Sequence, residues 1–111
     1  MKEVFLTEKI SKKIKQIDIN DNEENKVLLK KIYYVVTKLD RGTFTEAKKV
    51  FNTENIFVIK VDKNWRLFYT IQKNKDQQEF ILLLDIVKKT NYNSNYSLDI
   101  IKELHDYRDK F

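Results

Sequence analysis

Cysteine and proline are absent from this 111-residue chain, which has a single glycine, histidine and tryptophan. Without cysteine there is no disulfide framework, no thiolate metal site and no catalytic thiol. One histidine gives no basis for a histidine-built zinc site, and Asp62, Glu79 and Asp85 show no metal-ligand spacing. No metal and no cofactor is expected. No apolar run approaches the ~18 residues that cross a bilayer, and Met1 to Leu6 holds no apolar stretch of signal-peptide length. The expectation is a cytoplasmic protein with no membrane partner. The missing proline, beside abundant lysine, asparagine and isoleucine, suggests an AT-rich coding sequence, so each lysine carries less meaning than usual.

What is present is globular in kind, with 41% of the chain apolar and 13% of it aromatic. The length suits one domain over 1–111, able to bury roughly two-thirds of its unfolded surface without staples. The net charge of +5 favours an anionic partner. Lys and Arg outnumber Asp and Glu by 12 to 9 over residues 1–55 and by 7 to 4 over 56–96, while 97–111 carry 3 against 4. The excess therefore belongs to the folded body rather than to a basic tail.

Periodicity divides the chain. Residues 4–7 are β-prone, and Ile10, Ile14 and Ile17 then follow at helical spacing. Lys9, Lys12, Lys13 and Lys15 fall mostly off that stripe and read as the wet side of the helix, with ribosomal RNA as a conceivable contact. Asp21 with Glu24 suggests a capping box for a second helix, whose stripe is Leu28, Ile32, Val35, Val36 and Leu39, with Gly42 as its C-cap. A helical turn around Glu46 to Val50 is expected. The period then becomes two: strands are predicted over 56–61, 65–71 and 80–87, joined by hairpin-length connections into an antiparallel meander. Ser97 caps a last helix bearing Leu98, Ile101 and Leu104, with Ile100 and Tyr107 beside them. The order β-α-α-β-β-β-α predicts an α+β fold with helices packed on one sheet face.

Alternation places Phe57, Ile59 and Val61 with Trp65, Leu67, Tyr69 and Ile71 on an apolar face suited to the helices. The opposite face mixes Lys60 and Arg66 with Phe68 and Thr70. Such a surface suits phosphates and stacked bases, although any lysine-rich protein shows cations on an open sheet. Trp65 reads as a core residue and His105 as a surface histidine.

Three stretches carry a family resemblance. Asn55-Ile-Phe-Val-Ile-Lys60-Val61, followed by Trp65-Arg66-Leu-Phe-Tyr-Thr-Ile71, looks like the paired strands of RelE-like toxins. Phe80 to Asp85 with Ile86-Val87-Lys88-Lys89-Thr90 is similar to their apolar strand ending in a basic pair. Asn95-Tyr96-Ser97 leading into Ile100-Ile101 resembles their closing helix, and the front of the chain, ending Leu39-x-x-Gly42, is similar too. The chain thus resembles the RelE/ParE family of toxin-antitoxin toxins over nearly all its length. The resemblance implies a short N-terminal strand plus a three-stranded meander in an antiparallel sheet, packed against two N-terminal helices, with a C-terminal helix.

The resemblance also implies partners and chemistry: a cognate antitoxin protein, and messenger RNA cleaved on the ribosome by attack of a 2′-hydroxyl on the adjacent phosphate. Such a site needs a base, cations for the developing charge and an acid for the leaving oxygen. Lys60 matches a catalytic lysine and Arg66 the phosphate-binding arginine. Lys89 stands where a second cation is usual, and Tyr96 stands near the catalytic tyrosine, with Tyr92 as its alternative. Lys63, Phe68, Lys88 and Tyr92 are the further RNA contacts. The chain departs from the pattern at Val58, where the best-known members have a second lysine; Lys63 is the nearest substitute. ParE-like gyrase inhibition and a non-catalytic binding module are the competing readings.

Overall fold

The computed structural model describes residues 3–20, 22–40, 48–51 and 55–91, together with Lys102 and Leu104. Along the chain run β1 (Glu3–Leu6), α1 (Glu8–Ile19), α2 (Glu23–Asp40), β2 (Lys48–Phe51), β3 (Ile56–Lys60), β4 (Trp65–Lys73) and β5 (Glu79–Lys88), closed by a 3-10 turn at Lys89–Asn91. The strands form one sheet in the order β1-β5-β4-β3-β2.

Local chemistry sets the helix starts. Thr7, expected as a strand residue, leaves β1 and caps α1: its hydroxyl accepts from Ile10 N at 3.3 Å and donates to Leu84 O at 3.0 Å. At α2 the cap is Asn22, whose side chain accepts from Asn25 N at 2.8 Å. The suggested partner Asp21, like Gly42, lies outside the described residues. Both helical stripes bury as predicted, with Ile10, Leu28, Ile32, Val35 and Leu39 in the core and Ile14, Ile17 and Val36 packed against it.

The meander β3-β4-β5 is antiparallel, as its short connections require. β1 pairs with β5 in parallel, so the complete sheet is mixed. No tight turn links β1 to its neighbour β5; two helices and three strands intervene, and so long a connection permits parallel pairing. The helical turn expected around Glu46 to Val50 is overturned, because Lys48–Phe51 pair with β3 as an edge strand. One helical turn gains few hydrogen bonds for its nucleation cost, whereas the edge of β3 offers a row of unpaired backbone groups. With one glycine in the chain, left-handed turn positions fall to Asn55 (φ 53°) and Gln77 (φ 63°). Asparagine tolerates this region better than glutamine does.

Each sheet face carries its own core. Toward the helices lie Ile59, Val61, Leu67, Tyr69, Ile81, Leu83 and Ile86, with Phe57 stacked on its cross-strand partner Tyr69 at 5.3 Å between ring centroids. The other face gathers Ile56, Phe68, Phe80, Leu82, Leu84 and Val87 around Leu104. Lys102 and Leu104 are helical, as the last helix requires, while Ser97, Leu98, Ile100, Ile101, His105 and Tyr107 lie outside the described residues. Among the described residues no helix is long and apolar enough to cross a membrane.

Candidate functional site

The β3–β4 hairpin builds the cationic end of the sheet. Asp62 accepts from the backbone N–H groups of Asn64 at 2.8 Å and Trp65 at 2.9 Å through one carboxylate oxygen, the local turn bonding for which aspartate is favoured. Val61 N then donates to Trp65 O at 3.1 Å, closing the hairpin. That register sets Lys60 directly across from Arg66, on the face that alternation predicted. Lys60 is exposed and Arg66 half-buried. Arg66 Nη1 donates to the carbonyls of Asp62 at 2.8 Å and Trp65 at 3.0 Å. These bonds fix the guanidinium plane and leave Nε and Nη2 with no partner among the described residues, a fork able to grip an anion.

Lys63 sits exposed at the hairpin tip. Lys89, first residue of the 3-10 turn after β5, joins it, since Lys89 N donates to Asn64 O at 2.8 Å. Lys60, Lys63, Arg66 and Lys89 therefore share one end of the sheet, and none has a carboxylate partner among the described residues. Lys88 departs from the group. It pairs with Trp65 in register, which turns it to the helix side, its Nζ 5.7 Å from the indole centroid. Tyr92 and Tyr96 lie outside the described residues.

One expected RNA contact is corrected. Phe68 is 2% exposed, buried among Phe80, Leu82, Leu84 and Leu104, and Thr70 is fully buried beside it. A core ring cannot stack a base, so the face predicted to be open is closed in its middle and cationic only at its end. Val58, standing where the family pattern has a second lysine, packs against the same cluster across from Phe68.

The lysines of α1 are also not simply its wet side. Lys13 and Lys9 reach the fully buried Asp85 at 2.8 and 3.3 Å, and Lys13 donates to Ile86 O at 3.1 Å. Lys12 pairs with Glu8 at 3.2 Å. Asp85 lies at an irregularity where the β4–β5 register skips Leu84. The extra residue lets Asp85 face α1 while Ile86, next in sequence, enters the helix-side core. The one signal in the sequence was an acid inside an otherwise apolar strand. Elsewhere, burial pushes the Tyr69 hydroxyl up from 10.0 to about 12.

No family model matches the sequence, and no curated protein matches it. Solved structures do match. A YoeB/ParE toxin from Agrobacterium tumefaciens superposes with a TM-score of 0.62 at 9% identity, covering 78% of this chain and 97% of that one. The YoeB dimer from Staphylococcus aureus gives 0.60 at 21% identity, over 83% and 97%. The heterotetrameric YoeB-YefM toxin-antitoxin complex from the same organism gives 0.57 at 18% identity, over 84% and 98%. The chain has the fold of these toxins.

Proposed function

We propose that the chain is the toxin of a type II toxin-antitoxin pair, acting in the cytoplasm as a ribosome-dependent endoribonuclease on messenger RNA. The observation that carries this reading is Lys60 set opposite Arg66 at a sheet end shared with Lys63 and Lys89, with no carboxylate to neutralise them among the described residues. The likeness in fold to YoeB toxins supports it, and the complex of one of them with its antitoxin YefM supports a cognate antitoxin here.

In the proposed reaction the 2′-oxygen bonds to the adjacent phosphorus, the bond to the 5′-oxygen breaks, and a 2′,3′-cyclic phosphate and a 5′-hydroxyl result. Lys60 takes the 2′-proton, solvent water returns one to the leaving 5′-oxygen, Arg66 and Lys89 hold the non-bridging oxygens, and Tyr96 stacks a neighbouring base. With Val58 in place of a lysine, the site relies on fewer cations, and Lys63 is the nearest reserve.

Mapping RNA 5′ ends in a translating extract tests this. The wild-type chain should cut translated messages. Arg66→Ala should cost about 2–4 kcal/mol of transition-state stabilisation, roughly 30- to 900-fold in rate. Arg66→Lys should recover only part, because a point charge does not reproduce the bidentate fork. Unchanged cleavage in an Arg66→Ala protein that still melts cooperatively removes Arg66 from the site. Inhibition of gyrase supercoiling without RNA cleavage would replace the nuclease reading with ParE-like action.

A further inference from the structure

On the other side of the same sheet end, between α1 and the β4–β5 pair, lies a groove of about 580 Å³. Trp65 and Lys88 form its sheet wall, and Gln16 and Asn20 stand on the side of α1. Among the described residues no carboxylate lines it; Asp85, beside the lining Ile86 on β5, is fully buried against Lys9 and Lys13. Trp65 is half-buried and packed on the helix-side core, so its ring is held in place. The rim is fixed as well, because Asn25 Nδ2 donates to the carbonyls of Asn20 at 2.6 Å and Ile17 at 3.2 Å. The side-chain amides of Gln16 and Asn20 are exposed and have no hydrogen-bond partner among the described residues.

An aromatic wall, an ammonium beside it and two unpaired amides form a particular set. Each amide offers both a donor and an acceptor, the pattern that the edge of a base displays. The Lys88 ammonium, 5.7 Å from the indole centroid, stands near the outer limit of a cation–π contact. An exposed contact at that range is weaker than a base stacked on the ring. A ligand with a planar base and a phosphate therefore displaces Lys88 from the ring while giving it a new partner.

We propose that this groove binds one nucleotide of single-stranded RNA, its base against Trp65 and the amides and its phosphate on Lys88. The groove is a subsite beside the cationic end, adjoining it through the consecutive residues Lys88 and Lys89, and its biological sense rests on the RNA reading above. An acidic peptide is the rival ligand. It engages Lys88 but makes little use of an indole face and two amide edges.

Trp65 is the only tryptophan, so its emission reports from this groove. The full chain is titrated with ribonucleoside 5′-monophosphates, with a 2′-O-methyl tetranucleotide that lacks the attacking hydroxyl, and with poly-glutamate. Both nucleotide probes should quench Trp65 saturably. Lys88→Ala and Gln16→Glu should each weaken binding by roughly fivefold or more, the loss of one contact worth about 1 kcal/mol. Lys73→Ala, exposed at the other end of β4, should keep the wild-type midpoint. No quenching at millimolar nucleotide, quenching by poly-glutamate alone, or wild-type midpoints in both Lys88→Ala and Gln16→Glu would overturn the proposal. Saturable quenching without RNA cleavage in the extract upholds the groove and removes the nuclease reading. Cleavage without quenching does the reverse.

Discussion

Asp85 is the residue whose surroundings most constrain the molecule. Its carboxylate is fully buried, with Lys13 at 2.8 Å, Lys9 at 3.3 Å and Ile86 N at 2.8 Å. The two lysines remain more than a third exposed, so their ammonium groups keep part of their hydration while the carboxylate loses its own. The asymmetry predicts different costs for the partners. Asp85→Asn should destabilise by about 2 kcal/mol, since the lysines can turn to water and the amide keeps one acceptor. Lys9→Met or Lys13→Met alone should cost less, because either lysine still compensates the acid. The double lysine replacement should cost about 3–5 kcal/mol, more than the sum of its parts, by leaving a buried charge unpaired. Urea denaturation of the four variants checks this, and strict additivity would show that Asp85 is not shared between the lysines.

At the scale of the element, β1, α1 and β5 meet at Thr7. Its N–H donates to Leu83 O at 3.1 Å, and its hydroxyl joins the start of α1 to Leu84 O. One buried side chain thus ends a strand, caps a helix and ties both to the sheet. Thr7→Ala should cost about 1–2 kcal/mol, combining a lost cap with an unsatisfied buried carbonyl. Thr7→Ser should recover most of it, and equal melting temperatures for the alanine and serine variants would deny the hydroxyl this role. The β5 irregularity acts alongside, since it turns Asp85 toward α1 and sets which face each residue of the strand's exit shares. Lys88 falls with Trp65 on the helix side as a result.

Over the whole molecule, charge is neutralised unevenly. Lys9, Lys12, Lys13 and Lys31 have carboxylate partners within the chain, while Lys60, Lys63, Arg66, Lys88 and Lys89 have none among the described residues. Five cations without a carboxylate partner thus gather at one end of the sheet, while Lys15, Lys30, Lys73 and Lys75 are unpaired singly elsewhere among the described residues. The core between the layers also sets an alkaline limit to stability. The Tyr69 hydroxyl lies at about 12 in the folded chain against 10.0 for the ordinary group. Below pH 10 both states keep the proton. Between about pH 10 and 12 only the unfolded chain loses it, so stability falls by on the order of 2 kcal/mol and then levels. Denaturation at pH 9 and pH 11.5 should show a smaller alkaline loss in Tyr69→Phe than in wild type, with lysine titration common to both. Equal losses would mean that Tyr69 is open to solvent.

The sequence alone determined the order of most elements, the helical stripes and the placing of Lys60 and Arg66 on one face. Those features follow from periods of 3.6 and 2 and from hairpin lengths, which are local properties of the chain. Only the tertiary structure decided the rest. Whether Phe68 meets solvent depends on Leu104, 36 positions away in the numbering. Whether Lys9 and Lys13 are free depends on Asp85 in a strand at the far end of the chain. That Lys48–Phe51 form a strand depends on the open edge of β3. Burial, ion pairing and edge pairing are contacts between distant segments, and no window of sequence contains both partners.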